Sequence, residues 1–112
     1  MTDKAELSLL LDYYGAFLTE RQREITRMNA DLDMSLSEIA DEIGVSRQAV
    51  RDHLARAAAE LEGCEAKLGL AKRDIELRRI AEKLKGACEN ESAEMLRKRA
   101  LEAAESILAL TR

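Results

Sequence analysis

The stretch Ser35–Arg56, SLSEIADEIGVSRQAVRDHLAR, decides how the rest of the chain is read. Ser35 followed three residues later by Glu38 is a capping-box pattern, so a helix is expected to start at Leu36. Ile39, Ala40 and Ile43 then recur at helical spacing. Gly44 follows them as the residue best suited to the left-handed conformation that ends a helix. Val45 is expected to tuck into the core at the turn. Ser46 offers a second N-cap, so the chain re-enters helix at Arg47 with Val50 and Leu54 facing inward. A small residue at Ala40, a turn glycine at Gly44 and a β-branched wedge at Val50 make this a helix-turn-helix.

The composition agrees with a helical protein. The 112 residues include no proline and only five glycines, and Ala, Leu, Glu and Arg, all good helix formers, are abundant. Strand signals are absent, and the expected class is all-α. A chain of this length suits one small domain with an extension. The expected division is a helix-turn-helix domain over 1–62 and a C-terminal helical extension over 63–112. No apolar run approaches the ~20 residues that span a bilayer, and the first residues are polar and acidic. A cytoplasmic protein without signal peptide, anchor or membrane partner is expected. Cys64 and Cys88 lack metal-site spacing and read as reduced cysteines in helix packing.

The net charge of −4 counts against non-specific grip on a nucleic-acid backbone. Its distribution is more informative. Residues 1–45 carry 4 positive and 10 negative charges, residues 46–84 carry 9 and 7, and residues 85–112 carry 5 and 5. A phosphate-binding surface must therefore use the second motif helix and the segment C-terminal to it, helped by Arg21, Arg23 and Arg27.

Upstream, Leu7, Leu10, Leu11, Tyr14, Phe17 and Leu18 fall at spacings of three and four and form the apolar stripe of a first helix. Tyr13 and Tyr14 read as wedges that fix this helix, because one further aromatic, Phe17, is too little for a base-stacking platform. Thr19 caps a second helix that buries Ile25 and Met28, and Asn29–Met34 links it to Ser35. Helix, helix, short helix and recognition helix is the order of the fourth region of bacterial sigma factors. The chain resembles that region in Leu18, Thr19, Arg21 and Gln22, then in Glu38, Ile39, Ala40, Gly44, Ser46 and Val50.

Downstream, Val50, Leu54, Ala57, Leu61, Cys64, Leu68, Ala71 and Ile75 alternate spacings of four and three, a heptad stripe on one long helix. Gly63 and Gly69 each cost about 1 kcal/mol against alanine, which is too little to break the pattern, although Gly63 could mark a bend. Leu77, Ile80, Leu84 and Ala87 continue on another face. Ala93, Leu96, Ala100, Ala103, Ile107 and Leu110 form a further stripe, with Gly86–Ser92 as the turn and Ser92 as its cap. The expectation is a coiled, fold-back hairpin whose uncovered stripe is completed by a second subunit in a homodimer.

With LTERQ before the motif and LEGCEAKLGL after it, the sequence from about Leu10 to Leu70 resembles the YlxM-like family of small bacterial helix-turn-helix proteins. The resemblance is densest over Asp33–Ala40 and Val45–Val50, with Asp52 and Arg56. It implies an all-helical dimer and an accessory or regulatory role in the signal recognition particle pathway. DNA, the particle's RNA or its GTPase are the implied partners.

If the motif binds nucleic acid, its second helix enters the major groove. Arg47, Gln48 and Arg51 then meet base edges, since arginine bonds two guanine acceptors and glutamine pairs with adenine. Thr19, Arg21, Gln22 and Ser46 would contact phosphate, Ser46 from a helix N-terminus. Asp52 beside Arg51 fits instead a solvated polar face. His53, at the edge of the buried face, reads as structural. The run Lys72, Arg73, Arg78, Arg79, Lys83 and Lys85 is explained mostly by intrahelical pairing with Asp74, Glu76 and Glu82. No Gly-rich loop, carboxylate pair or metal constellation is present, so neither an enzyme nor a cofactor is expected. Two readings stay open: a nucleic-acid-linked regulator, or a protein-interaction module whose long helices dock a partner.

Overall fold

The computed structural model describes residues 3–111, and these form an all-α protein. Helix α1 spans Lys4–Tyr14, followed by a 3-10 turn at Gly15–Phe17; then come α2 Glu20–Ala30, α3 Leu36–Ile43, α4 Arg47–Leu68, α5 Leu70–Asn90 and α6 Ala93–Leu110. Each start from α1 to α4, and that of α6, is marked by a side-chain cap. Asp3, Thr19, Ser35, Ser46 and Ser92 each accept a hydrogen bond from the backbone N–H three residues on. Thr19 with Gln22, and Ser35 with Glu38, complete reciprocal capping boxes.

The first compact unit ends at Ala71 and the second starts at Lys72. The boundary thus falls beyond residue 62, because the whole of α4 packs within the first unit. Two apolar clusters build that unit. One joins Leu7, Leu10, Leu11, Tyr14 and Leu18 to Ala57, Leu61 and Ala71. The other joins Ile25, Ile39, Ala40 and Val50, with Met28, Met34, Leu36, Ile43 and Leu54 packed on it. Val50 is fully buried among residues from α2 and α3, as the wedge reading requires. Between α2 and α3 the link is held by polar contacts. Ser8 Oγ donates to Asp31 Oδ1 at 2.5 Å, Asn29 Nδ2 donates to the Met34 carbonyl at 3.1 Å, and Lys4 pairs with Asp33.

Several expectations are corrected. Phe17 is 61% exposed, because the chain tightens into a 3-10 turn after Tyr14 and the helical stripe ends there. Val45 is 36% exposed and does not fill the turn. The long helix is not continuous: Gly69 takes φ +62° and closes α4 as a left-handed cap, while Gly63 stays inside the helix. Much of the heptad stripe is therefore covered within the first unit. Ala57, Leu61 and Ala71 pack on α1, and Leu68 and Ile75 are exposed.

In the second unit, α5 and α6 form an antiparallel hairpin; Arg79, Ile80, Lys83 and Leu84 share a small cleft with Arg99, Glu102, Ala103 and Ser106. Its turn is only Glu91–Ser92, since α5 runs through Gly86 to Asn90. Ile80, Ala87 and Ala103 are buried there, and Cys88 is exposed rather than packed. Arg99 reaches Glu91 at 3.2 Å and Glu102 at 3.3 Å. Two members of the basic run pair along their own helix, Arg79 with Glu76 at 2.6 Å and Arg78 with Glu82 at 3.5 Å.

Candidate nucleic-acid interface

The turn between α3 and α4 is built by three local rules. Gly44 adopts φ +72°, a region closed to most side chains, and its N–H bonds the Ala40 carbonyl at 2.9 Å. The Val45 N–H bonds the same carbonyl at 3.1 Å, which reverses the chain. Ser46 then starts α4, its Oγ accepting from the Ala49 N–H at 3.0 Å.

This geometry brings two helix N-termini to one cleft of about 740 Å³, lined by Ser35, Leu36 and Ser37 at the start of α3 and by Ser46, Arg47, Gln48 and Arg51 at the start of α4. Unpaired amides and the aligned peptide dipoles make each helix start a favourable place for negative charge. Arg47 and Arg51 add two full positive charges on exposed side chains. Neither is engaged in an ion pair among the described residues. Gln48 is held by its neighbour one turn on, with Nε2 donating to Asp52 Oδ1 at 3.0 Å. The arrangement suits phosphate oxygens beside donor-rich side chains that reach outward.

Of the seven residues singled out from sequence, Ser46, Arg47, Gln48 and Arg51 meet in this cleft, while Thr19, Arg21 and Gln22 are not part of its lining. Thr19 and Gln22 cap α2 reciprocally: Gln22 N–H bonds Thr19 Oγ1 at 3.2 Å and Thr19 N–H bonds Gln22 Oε1 at 3.1 Å. Arg21 lies 3.9 Å from Glu24. The sequence reading missed the contribution of Ser35, Leu36 and Ser37. The capping box at Ser35 was visible, but nothing in linear spacing says that it opens on the same side as Ser46. His53 is half-buried, with its Nδ1 enclosed and unbonded, consistent with a structural place on α4.

A model of the YlxM / p13-like helix-turn-helix family, UPF0122, matches residues 1–100. The chain belongs to this family. The UPF0122 protein of Thermoanaerobacter sp. (strain X514) is 47% identical over 83 residues, 74% of this chain and 71% of the relative. That of Symbiobacterium thermophilum is 42% identical over 87 residues, 78% and 81% of the two chains. A Clostridium perfringens (strain 13 / Type A) UPF0122 protein is 39% identical over 84 residues, 75% of each. The UPF0122 match covers the whole cleft and most of the hairpin. UPF0122 is a helix-turn-helix family. No helix among the described residues is long and apolar enough to cross a membrane.

Proposed function

We propose that this protein is a nucleic-acid-binding accessory protein, a cytoplasmic homodimer without catalytic activity, that serves the signal recognition particle pathway. One observation carries the binding reading: the N-termini of α3 and α4 converge on a single cleft with Arg47 and Arg51. In this reading Arg47, Gln48 and Arg51 face the bases, and the amides and hydroxyls at the two helix starts hold the backbone. Thr19, Arg21 and Gln22 extend the contact along α2. The pathway assignment rests on the resemblance carried by the motif and its flanks.

The test is fluorescence anisotropy of the purified full chain with signal recognition particle RNA, a length-matched control RNA and random duplex DNA, each at two salt concentrations. Saturable binding to the particle RNA that weakens steeply with salt is expected. Arg47→Ala with Arg51→Ala should abolish the preference for the particle RNA over the control RNA, with helicity unchanged. Unaltered binding by that variant removes the cleft from the mechanism, and preference for duplex DNA redirects the reading to promoter-like targets.

A second reading, docking onto a protein of the targeting machinery such as its GTPase, is favoured by apolar side chains left outward on the second unit: Ile75, Leu101 and Leu108 are 58%, 62% and 68% exposed. Titration of the full chain into purified GTPase by calorimetry decides it; no heat at micromolar concentrations ends that reading.

A further inference from the structure

The first unit carries a second cleft, of about 780 Å³, that the nucleic-acid reading leaves unused. Along α4 it is lined by Arg51, then Leu54, Ala55, Ala58 and Ala59, then Glu62, and Asp3, Lys4 and Leu7 at the start of α1, Asn29 of α2 and Leu36 of α3 complete it. Three alanines on one stretch of helix leave room for another helix to approach closely. Arg51 and Glu62 mark the two ends of that stretch, about 16 Å apart at the helical rise of 1.5 Å per residue.

The second unit carries a face of matching pattern. On α6, Arg97, Leu101, Glu105 and Leu108 follow at spacings of four, four and three, so they share one side of the helix. Leu101 and Leu108 are largely exposed there, whereas Ala103 is buried against α5 on the other side. Arg97 and Glu105 lie about 12 Å apart along the axis. Neither Arg97, Glu105, Arg51 nor Glu62 has an ion-pair partner among the described residues.

We infer that α6 of a second copy of this chain seats its Arg97–Leu108 face in the α1–α4 cleft, antiparallel to α4. Charge fixes the direction. Run antiparallel with Arg97 at Glu62, Leu101 falls over Ala58 and Ala104 over Ala55, and Glu105 comes within one helical turn, about 4.5 Å along the axis, of Arg51. Run parallel, Arg97 meets Arg51 and Glu105 meets Glu62, which sets like charges together at both ends. A two-fold pair repeats the seat, each copy giving its α6 and receiving the other's. The inference rests on the homodimer reading and names the surface that makes it.

The test uses the full chain in sedimentation equilibrium. The wild type is expected to be a dimer. Glu62→Lys and Arg97→Glu, each acting at two symmetry-related seats, should each raise the dimer dissociation constant about tenfold, and the two together should restore it. Leu101→Lys, at an exposed position that does not threaten folding, should give monomer. As an independent readout, Ala58→Cys with Leu101→Cys in a Cys64→Ser, Cys88→Ser background should form an inter-chain disulfide on oxidation. A wild-type monomer at all concentrations overturns the dimer and this surface together. A dimer indifferent to the single charge changes, or unrestored by the pair, overturns the surface alone. A disulfide closed within one chain shows that the chain's own α6 fills the cleft and also overturns the inference.

Discussion

Tyr14 joins two helices that are distant in sequence. Its hydroxyl donates to Glu65 Oε1 at 2.5 Å and accepts from the Leu70 N–H at 2.9 Å, and the same Glu65 oxygen accepts from the Ala71 N–H at 3.1 Å. Two amides at the start of α5, which has no local cap, thus find their partners on side chains of α1 and α4. Burial first, and the bond to Glu65 second, hold the phenol above its ordinary pKa. A pKa raised on folding means that the protonated form stabilises the fold fully below about pH 10, the unfolded value, and that this contribution is lost as pH rises through the folded value. Tyr14→Phe should leave Leu70 and Glu65 short of a partner and lower the melting temperature by roughly 5 °C, read by circular dichroism. The loss of stability between the wild type and this variant should shrink above pH 10. Helical spacing alone placed Tyr14 in the core. Its polar partners were illegible, because Glu65 and Leu70 lie on other elements and no local pattern links them to α1.

Among the elements, the glycines in and on either side of α4 divide what the sequence could say from what it could not. Gly44 stood at the end of an apolar-periodic helix with a serine cap two residues on, and its left-handed conformation was legible. Gly63 and Gly69 looked alike as interruptions of one stripe, and the stripe favoured reading through both. Tertiary contacts separate them: the Gly69 N–H closes on the Glu65 carbonyl at 2.8 Å, and Tyr14 and Glu65 take up the amides just beyond. The same substitution should therefore act in opposite directions at the two sites. At Gly63 an added Cβ meets nothing within 4 Å in a helical backbone, so Gly63→Ala should stabilise the chain by up to about 1 kcal/mol. At Gly69 the space is equally open but φ is +62°, so Gly69→Ala should destabilise it by about 1 kcal/mol. Urea unfolding of both variants checks the signs, and a stabilising Gly69→Ala would mean that α4 and α5 prefer to run as one helix.

For the whole molecule, the periodicity of apolar residues carried the all-α class and the caps carried most helix boundaries. It could not say which faces a helix keeps inside its own chain. Ala57 and Leu61 looked like parts of a seam between subunits and are instead core against α1, whereas Leu101 and Leu108 escaped notice because the inner stripe of α6 accounted for its helix. If two copies assemble through α6, folding is coupled to association, so the melting temperature should rise with protein concentration. Scanning calorimetry across a hundredfold range of concentration reads this directly, and a constant midpoint would argue for a monomeric fold. Arg51 lines both clefts of the first unit. One guanidinium cannot serve a phosphate or base and the Glu105 carboxylate of another copy with full strength at once. If both proposals hold, ligation at one cleft weakens occupancy of the other by the same factor in both directions, and a nucleic-acid ligand would then set the assembly state of the protein.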